Sequence, residues 1–151
     1  MKRAAIILSC LLLATPAVAQ SLGEKTGVNS ALGISPSTQD FATQVAISDM
    51  FEIATAKVAQ SRGSDADRKF AAQMIEEHTK TSAELKRLAS GKINVALPAQ
   101  LDSAHQSKLD ALNSASADDF SSTYAAQQVE AHENAVSLFE RYAKSGDQAE
   151  L

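Results

Sequence analysis

The chain has 151 residues, with 14 Lys and Arg against 18 Asp and Glu, and therefore a net charge of −4 at pH 7. A protein with this acidic balance lacks the excess positive charge with which proteins bind nucleic acids and anionic membranes, so these two classes of partner are excluded. Aromatic residues make up only 5% of the chain and Trp is absent. A composition that is rich in Ala and poor in aromatic residues favours packed helices over a β-sandwich.

Residues 1–19 predict a signal peptide. Lys2 and Arg3 precede an apolar run, "AAIILSCLLLA" (4–14), that is too short to span a bilayer, and "AVA" (17–19) is typical of a cleavage site. We therefore expect an exported, periplasmic protein, with 12 Lys and Arg against 18 Asp and Glu after cleavage and a net charge of −6. Cleavage removes the only Cys, so the mature chain has no disulfide.

Cys10 also allows a lipoprotein alternative, although bulky Leu8 occupies a position where lipoprotein signals usually have a small residue. Association with a membrane is therefore left open. No second apolar run is long enough to form a transmembrane segment in the mature chain.

Residues 20–37 carry Gly, Ser, Asn and Thr without periodicity and predict a flexible linker. Residues 38–151 predict a single helical domain with four segments of helical periodicity: 38–61, 65–90, 98–113 and 116–145. Three of the segments open with a Ser that is followed three residues later by an Asp: Ser37 and Asp40, Ser64 and Asp67, Ser116 and Asp119. The remaining segment begins at Pro98, a favourable first helical position.

The second and fourth segments resemble each other at an offset of 54 residues. "FAAQMIEEHTKTSAELKRLAS" (70–90) and "YAAQQVEAHENAVSLFERYAK" (124–144) share seven identical positions. The identities include Glu76 with Glu130, His78 with His132, and Arg87 with Arg141. Two related helix pairs predict an all-α fold, an up-down four-helix bundle of the ferritin-like kind.

Each of these two segments has a Glu two residues before its His, at Glu76 and Glu130. This spacing places the two side chains about 200° apart on a helix, so they cannot bind one ion together. A di-iron bundle needs Glu-x-x-His instead, and Ile75 and Val129 occupy those positions. The pattern argues against a ferritin-type di-iron centre.

A different set of polar side chains falls on the apolar helix faces. Its members are Glu52, Met74, His78, His105, Gln128 and His132. One interpretation is structural: buried histidines pair with Glu, Tyr or a carbonyl and fix the helix register, while Met74 fills the core. The alternative is that Glu52, His78 and His132 converge and bind a transition metal ion such as zinc, copper or non-haem iron.

Four stretches, taken in order, resemble the bacterial domain-of-unknown-function family 4142. They are "FATQVAISDMFEIATAKVA" (41–59), "FAAQMIEEHTKTSAELKRLA" (70–89), "LPAQLDSAHQSKLDAL" (97–112) and "YAAQQVEAHENAVSLFERYA" (124–143). The resemblance implies an exported, ferritin-like helical bundle and no assigned activity. It marks as recurrent positions Glu52, His78, Leu97, Pro98, His105, Gln106 and His132.

Family members usually continue into a further helix with another inward His, whereas this chain ends at Leu151. The resemblance therefore implies that the last helix is missing. Asp147, with Glu150 three residues later, is a helix start signal without a helix behind it. We expect exposed apolar surface at Phe139 and Tyr142, covered by self-association or by a partner.

The sequence carries no Gly-rich phosphate loop, no Gly-x-Ser-x-Gly and, after cleavage, no Cys nucleophile. We therefore expect a non-enzymatic, exported bundle without a cofactor, which binds an unknown protein partner or itself and serves the cell envelope or its stress response. The alternative is a transition-metal-binding or redox bundle that uses Glu52, His78 and His132.

Overall fold

The computed structural model describes residues 20–149 and 151. The predicted signal peptide, residues 1–19, lies outside the described residues. The helices in this part of the chain are α1 (Leu22–Lys25), α2 (Val28–Ala31), α3 (Thr38–Arg62), α4 (Asp65–Gly91), α5 (Ser103–Ser114) and α6 (Ala117–Ser145). No strand occurs between residues 20 and 149, and the all-α prediction is confirmed.

The three Ser-x-x-Asp signals cap α3, α4 and α6, as predicted. In each case the Ser side chain accepts a hydrogen bond from the backbone N–H of the Asp three residues later. At Ser64 the carboxylate of Asp67 also accepts from the Ser64 N–H, which completes a capping box. Local chemistry alone therefore sets where the three long helices begin.

The start of α5 differs from the prediction. The helix begins at Ser103 rather than at Pro98, because the carboxylate of Asp102 accepts from the His105 N–H and caps the helix there. Residues 92–102 form an irregular connection instead. α5 is consequently much shorter than the other three helices of the bundle.

α3 is the central helix and packs against α4, α5 and α6. Side-chain contacts give the directions of its neighbours: Ala46 packs with Leu85 and Ala59 with Ala71, Thr38 bonds Tyr142, and Arg62 bonds Leu112. α4 and α6 therefore run antiparallel to α3, whereas α5 runs parallel to it. This is the up-down order that was predicted, while the ferritin-like part of that prediction stays a prediction.

Residues 20–37 differ from the linker that was expected. They contain α1 and α2, and the Glu24 side chain is buried against α6. Arg141 donates to both carboxylate oxygens of Glu24, at 2.9 and 3.1 Å, and Gln44 donates a further bond at 3.0 Å. Because the main partner lies 117 residues away, the periodicity of the local sequence carries no sign of this contact.

Of the two aromatic residues expected on the surface, only Phe139 is exposed, at 48%. Tyr142 is 4% exposed and stacks on Phe41, with 4.2 Å between the ring centroids. Asp147, expected to start a helix, instead bonds the hydroxyl groups of Thr38 and Tyr142. None of the helices in the described part of the chain combines the length and apolar character that a membrane span requires.

Candidate metal centre

Three side chains from three helices meet midway along the bundle: Glu52 of α3, His78 of α4 and His132 of α6. One ligand atom of each lies within 4.8 Å of the others. Glu52 Oε2 is 2.9 Å from His78 Nε2 and 3.7 Å from His132 Nδ1. The structure thus brings together the three residues that the sequence singled out, whereas metal binding itself stays a prediction.

The relation between α4 and α6 explains why both histidines reach Glu52. Residues that are 54 positions apart contact each other along the two helices: Asp67 with Ser121, Phe70 with Tyr124, and His78 with His132. The matching residues of the two related helices therefore lie at the same height. Both helices pack on α3, so their histidines approach Glu52 from two sides.

The Glu52 carboxylate is 1% exposed and has two different oxygens. Oε1 accepts a hydrogen bond from Ser48 at 2.7 Å. Oε2 lies close to His78 but off the direction that a hydrogen bond needs, and no other described residue donates to it. Burial alone would raise the pKa of Glu52, yet the neighbouring His78 and Ser48 outweigh burial and lower it. The result is an ionised, buried carboxylate with one oxygen left for a cation.

His78 is held from its other ring nitrogen. Its Nδ1 lies 2.8 Å from Oδ1 of Asp49. The Asp49 carboxylate also accepts hydrogen bonds from Thr81, at Oδ1, and from Ser82, at Oδ2. Burial would lower the pKa of His78, but Asp49 and Glu52 raise it to about 9. A carboxylate on the second ring nitrogen is a common support for a histidine ligand, because it orients the ring and makes it more basic.

Sequence analysis missed Asp49, although a usable signal was present. Asp49 lies four residues after Val45 and three before Glu52, and therefore on the same face of α3. It is 3% exposed, so two acidic residues of this face enter the interior together.

His132 was expected to point inward, but its side chain is 50% exposed. It borders a groove between α4 and α6 whose lining is mostly apolar: Phe70, Val129 and Val136. His132 Nδ1 lies 2.8 Å from the carbonyl oxygen of Gln128. Because a carbonyl only accepts, Nδ1 is the donor, and in the neutral ring Nε2 carries the lone pair that a metal would use.

The other members of the polar set lie elsewhere. His105 Nδ1 is 2.8 Å from Asp102, and its ring meets the edge of Phe51. Met74 belongs to the hydrophobic core, as predicted. Gln128 is 3% exposed and bonds Thr55. Within the described residues the metal-compatible group consists of Glu52, His78 and His132 alone.

The donor set and its spacing suit a transition metal. Two imidazoles and a carboxylate are ligands of zinc, copper and non-haem iron. Ligand atoms about 2.1 Å from one tetrahedral ion lie about 3.4 Å apart, and Glu52 Oε2 and His78 Nε2 are 2.9 Å apart. For His132 the 3.7 Å separation is measured to Nδ1, so Nε2 reaches the same ion only after a change in the side-chain torsions of the half-exposed ring.

Comparison with protein families gives one result. The model of the family described as "Domain of unknown function (DUF4142)" matches residues 23–151, which is most of the chain. No curated protein and no solved structure is significantly similar to it. Because the match begins at residue 23, it includes α2 and most of α1 as well as the four bundle helices. The chain therefore belongs to the DUF4142 family of domains of unknown function.

Proposed function

We propose that the protein is an exported, non-enzymatic helical bundle whose ligand is a transition-metal ion held by Glu52, His78 and His132. One observation carries the proposal: the buried oxygen Glu52 Oε2 has no aligned donor among the described residues, although it lies between two imidazoles. A buried acceptor without a hydrogen-bond donor is costly. A cation at this point would satisfy that oxygen.

The local charge supports the same proposal. Asp49 and Glu52 are both buried, and the cationic group between them is the imidazole of His78. Two carboxylates against one imidazolium leave a net negative charge inside the bundle. A divalent ion would displace one proton from His78, balance the charge of the two carboxylates, and use the lone pairs of the neutral His78 and His132 rings.

The test is metal analysis of the mature protein, residues 20–151, purified from its native compartment without a His tag. We expect a stoichiometric transition metal, and we expect the metal-free protein to melt at a higher temperature when zinc is added. At a zinc concentration of 100 times Kd, linkage adds about 2.7 kcal/mol of stability.

The matched control compares two histidines that are both partly exposed. His132→Ala should remove the metal without unfolding the protein, whereas His105→Ala should leave binding unchanged because His105 lies outside the cluster. The proposal would be refuted if the purified protein contained no metal and its melting temperature did not change when zinc, copper or iron was added.

A second candidate function rests on the position of His78, whose two ring nitrogens lie 2.8 Å from Asp49 and 2.9 Å from Glu52. An imidazolium between Asp49 and Glu52 would serve as a structural link between α3 and α4, and the protein would then bind a protein partner in the envelope. In that case no metal is found, His78→Ala destabilises the fold, and His132→Ala has no effect on stability. Metal analysis of the unmodified protein separates the two functions.

A further inference from the structure

We propose that the side-chain amide oxygen of Gln128 is a fourth ligand of the metal ion. This inference rests on the proposed function, since it presupposes an ion at Glu52, His78 and His132. Three protein ligands leave a tetrahedral ion one ligand short. The fourth position is filled either by water or by another protein atom, and Gln128 is the residue whose orientation and burial fit that role.

The hydrogen bonds around Thr55 determine which way the Gln128 amide faces. Gln128 Nε2 lies 3.1 Å from Thr55 Oγ1. The Thr55 hydroxyl hydrogen is directed at the backbone carbonyls of Phe51 and Glu52, at 3.0 and 3.1 Å. The hydroxyl can therefore only accept from the amide, so the nitrogen must face α3.

The amide oxygen is the atom left over. Gln128 is 3% exposed, and its Oε1 has no hydrogen-bond partner among residues 20–149 and 151. A buried, unpartnered acceptor is unfavourable in the interior. It is one of four buried side-chain oxygens without a partner in the described part of the chain, together with Glu52 Oε2, Gln127 Oε1 and the Tyr124 hydroxyl. A metal ion would take Glu52 Oε2 and Gln128 Oε1 as ligands.

Position along the helices places Gln128 next to the cluster. Gln128 precedes His132 by one turn of α6, so both residues lie on the same side of that helix. Thr55 follows Glu52 by nearly one turn of α3. α3 and α6 are antiparallel, so Gln128 lies opposite Thr55 and His132 lies opposite Glu52. The two pairs are therefore neighbours, one helical turn apart along the bundle.

Gln128 is also coupled to the histidine itself. Its backbone carbonyl accepts from His132 Nδ1, and both residues border the groove between α4 and α6. One residue would thus orient a ligand through its main chain and add a ligand through its side chain. An amide oxygen is neutral, so the ion would keep a net positive charge opposite the second buried carboxylate, Asp49.

The experiment uses Co²⁺ as a spectroscopic probe and Zn²⁺ for affinity, with the mature protein 20–151. The visible absorption of Co²⁺ reports coordination number and ligand type. Gln128→Leu should change the spectrum and weaken Zn²⁺ binding by at least about tenfold. Gln128→Glu keeps an oxygen at the same place and should retain a four-coordinate spectrum and tight binding.

Gln127→Leu is the matched control. Gln127 is the neighbouring residue, its Nε2 donates to the Lys108 carbonyl, and its Oε1 likewise has no partner in the described part of the chain. It faces α5 instead of the cluster. This substitution should therefore leave both the Co²⁺ spectrum and the Zn²⁺ affinity unchanged.

The outcomes separate the two proposals. If the unmodified protein binds neither Co²⁺ nor Zn²⁺, the proposed function is wrong and the fourth ligand with it. If it binds them and Gln128→Leu has the same spectrum and affinity, only the assignment of Gln128 is overturned. If Gln128→Leu fails to fold by circular dichroism, Gln128→Glu decides: a spectrum of altered coordination number there overturns the assignment.

Discussion

α4 and α6 have related sequences, but their matching residues lie in opposite environments. His78 of α4 is enclosed between Asp49 and Glu52, whereas its counterpart His132 in α6 is half exposed. For the two matching arginines, the buried residue is the one in α6 and the exposed residue is the one in α4. Arg87 pairs with Glu84 on the exposed surface of α4, whereas Arg141 is buried against Glu24.

The difference shows that the role of each residue comes from what lies opposite its helix. α3 presents Asp49 to α4, and the segment with α1 and α2 presents Glu24 to α6. Identical side chains in the same register thus become a buried ion pair in one helix and a solvated side chain in the other. Four changes test this contrast, from the largest expected effect to the smallest.

The arginine pair should show the largest contrast. Arg141→Ala leaves the Glu24 carboxylate buried without its partner and should lower the free energy of unfolding by about 3 kcal/mol. Arg87→Ala removes only an exposed contact within one helix and should not change the denaturation midpoint measurably. Urea denaturation of both variants measures this contrast, and equal losses would show that Glu24 is not buried by Arg141.

The histidine pair should show a smaller contrast in the opposite direction. In metal-free protein with a chelator present, His78→Ala removes a hydrogen bond to Asp49 and an ion pair with Glu52, and should cost about 2 kcal/mol. His132→Ala, at a half-exposed position, should cost less than about 0.5 kcal/mol. Urea denaturation again gives both values. If both variants lost the same free energy of unfolding, His132 could not be half exposed while His78 is enclosed.

Acid should weaken the contact between Glu24 and Arg141. Burial alone would raise the pKa of Glu24, but Arg141 and Gln44 lower it below its ordinary value of 4.5. A lowered folded-state pKa adds stability that is present above the unfolded-state pKa and is lost as the pH falls through the folded-state value. The melting temperature should therefore decrease as the pH is lowered below 4.5, and the decrease should be less steep in Arg141→Ala. Parallel slopes for the two proteins would contradict the assignment.

The smallest effect is expected in the groove between α4 and α6. Val129 is 58% exposed, whereas its counterpart Ile75 packs against the main core cluster. Val129→Ser should change stability by less than about 0.5 kcal/mol, and Ile75→Ser should cost more because it places a hydroxyl in a partly buried apolar site. Thermal denaturation of the two variants gives the comparison. A large loss at Val129 would mean that the groove is covered in solution.

The sequence predicted those features that depend on neighbouring residues. Ser37, Ser64 and Ser116 begin their helices as expected, because a cap forms with an N–H only three residues away. The convergence of Glu52, His78 and His132 followed from helical periodicity and from the similarity between the second and fourth segments. These are short-range regularities, and one sequence is enough to show them.

Features that depend on distant residues were missed. The burial of Glu24 requires Arg141, and a helical wheel does not show what lies opposite a helix. The same limit explains why His132 was expected inside although it borders a groove. Asp49 is different, because the sequence alone places it on the same helix face as Glu52. A single acidic residue on an apolar face has no evident role, however, until its partner His78 is known.

The contact between Glu24 and Arg141 also fixes an order of events during synthesis. Arg141 is made 117 residues after Glu24, so the carboxylate must stay in water until most of the domain has been translated. Closing so long a loop is slow and entropically costly, and the contacts that offset this cost form only when the last long helix, α6, docks. Until then the segment with α1 and α2 is open to proteases and chaperones. Its protection from cleavage therefore reports when the chain has completed its fold.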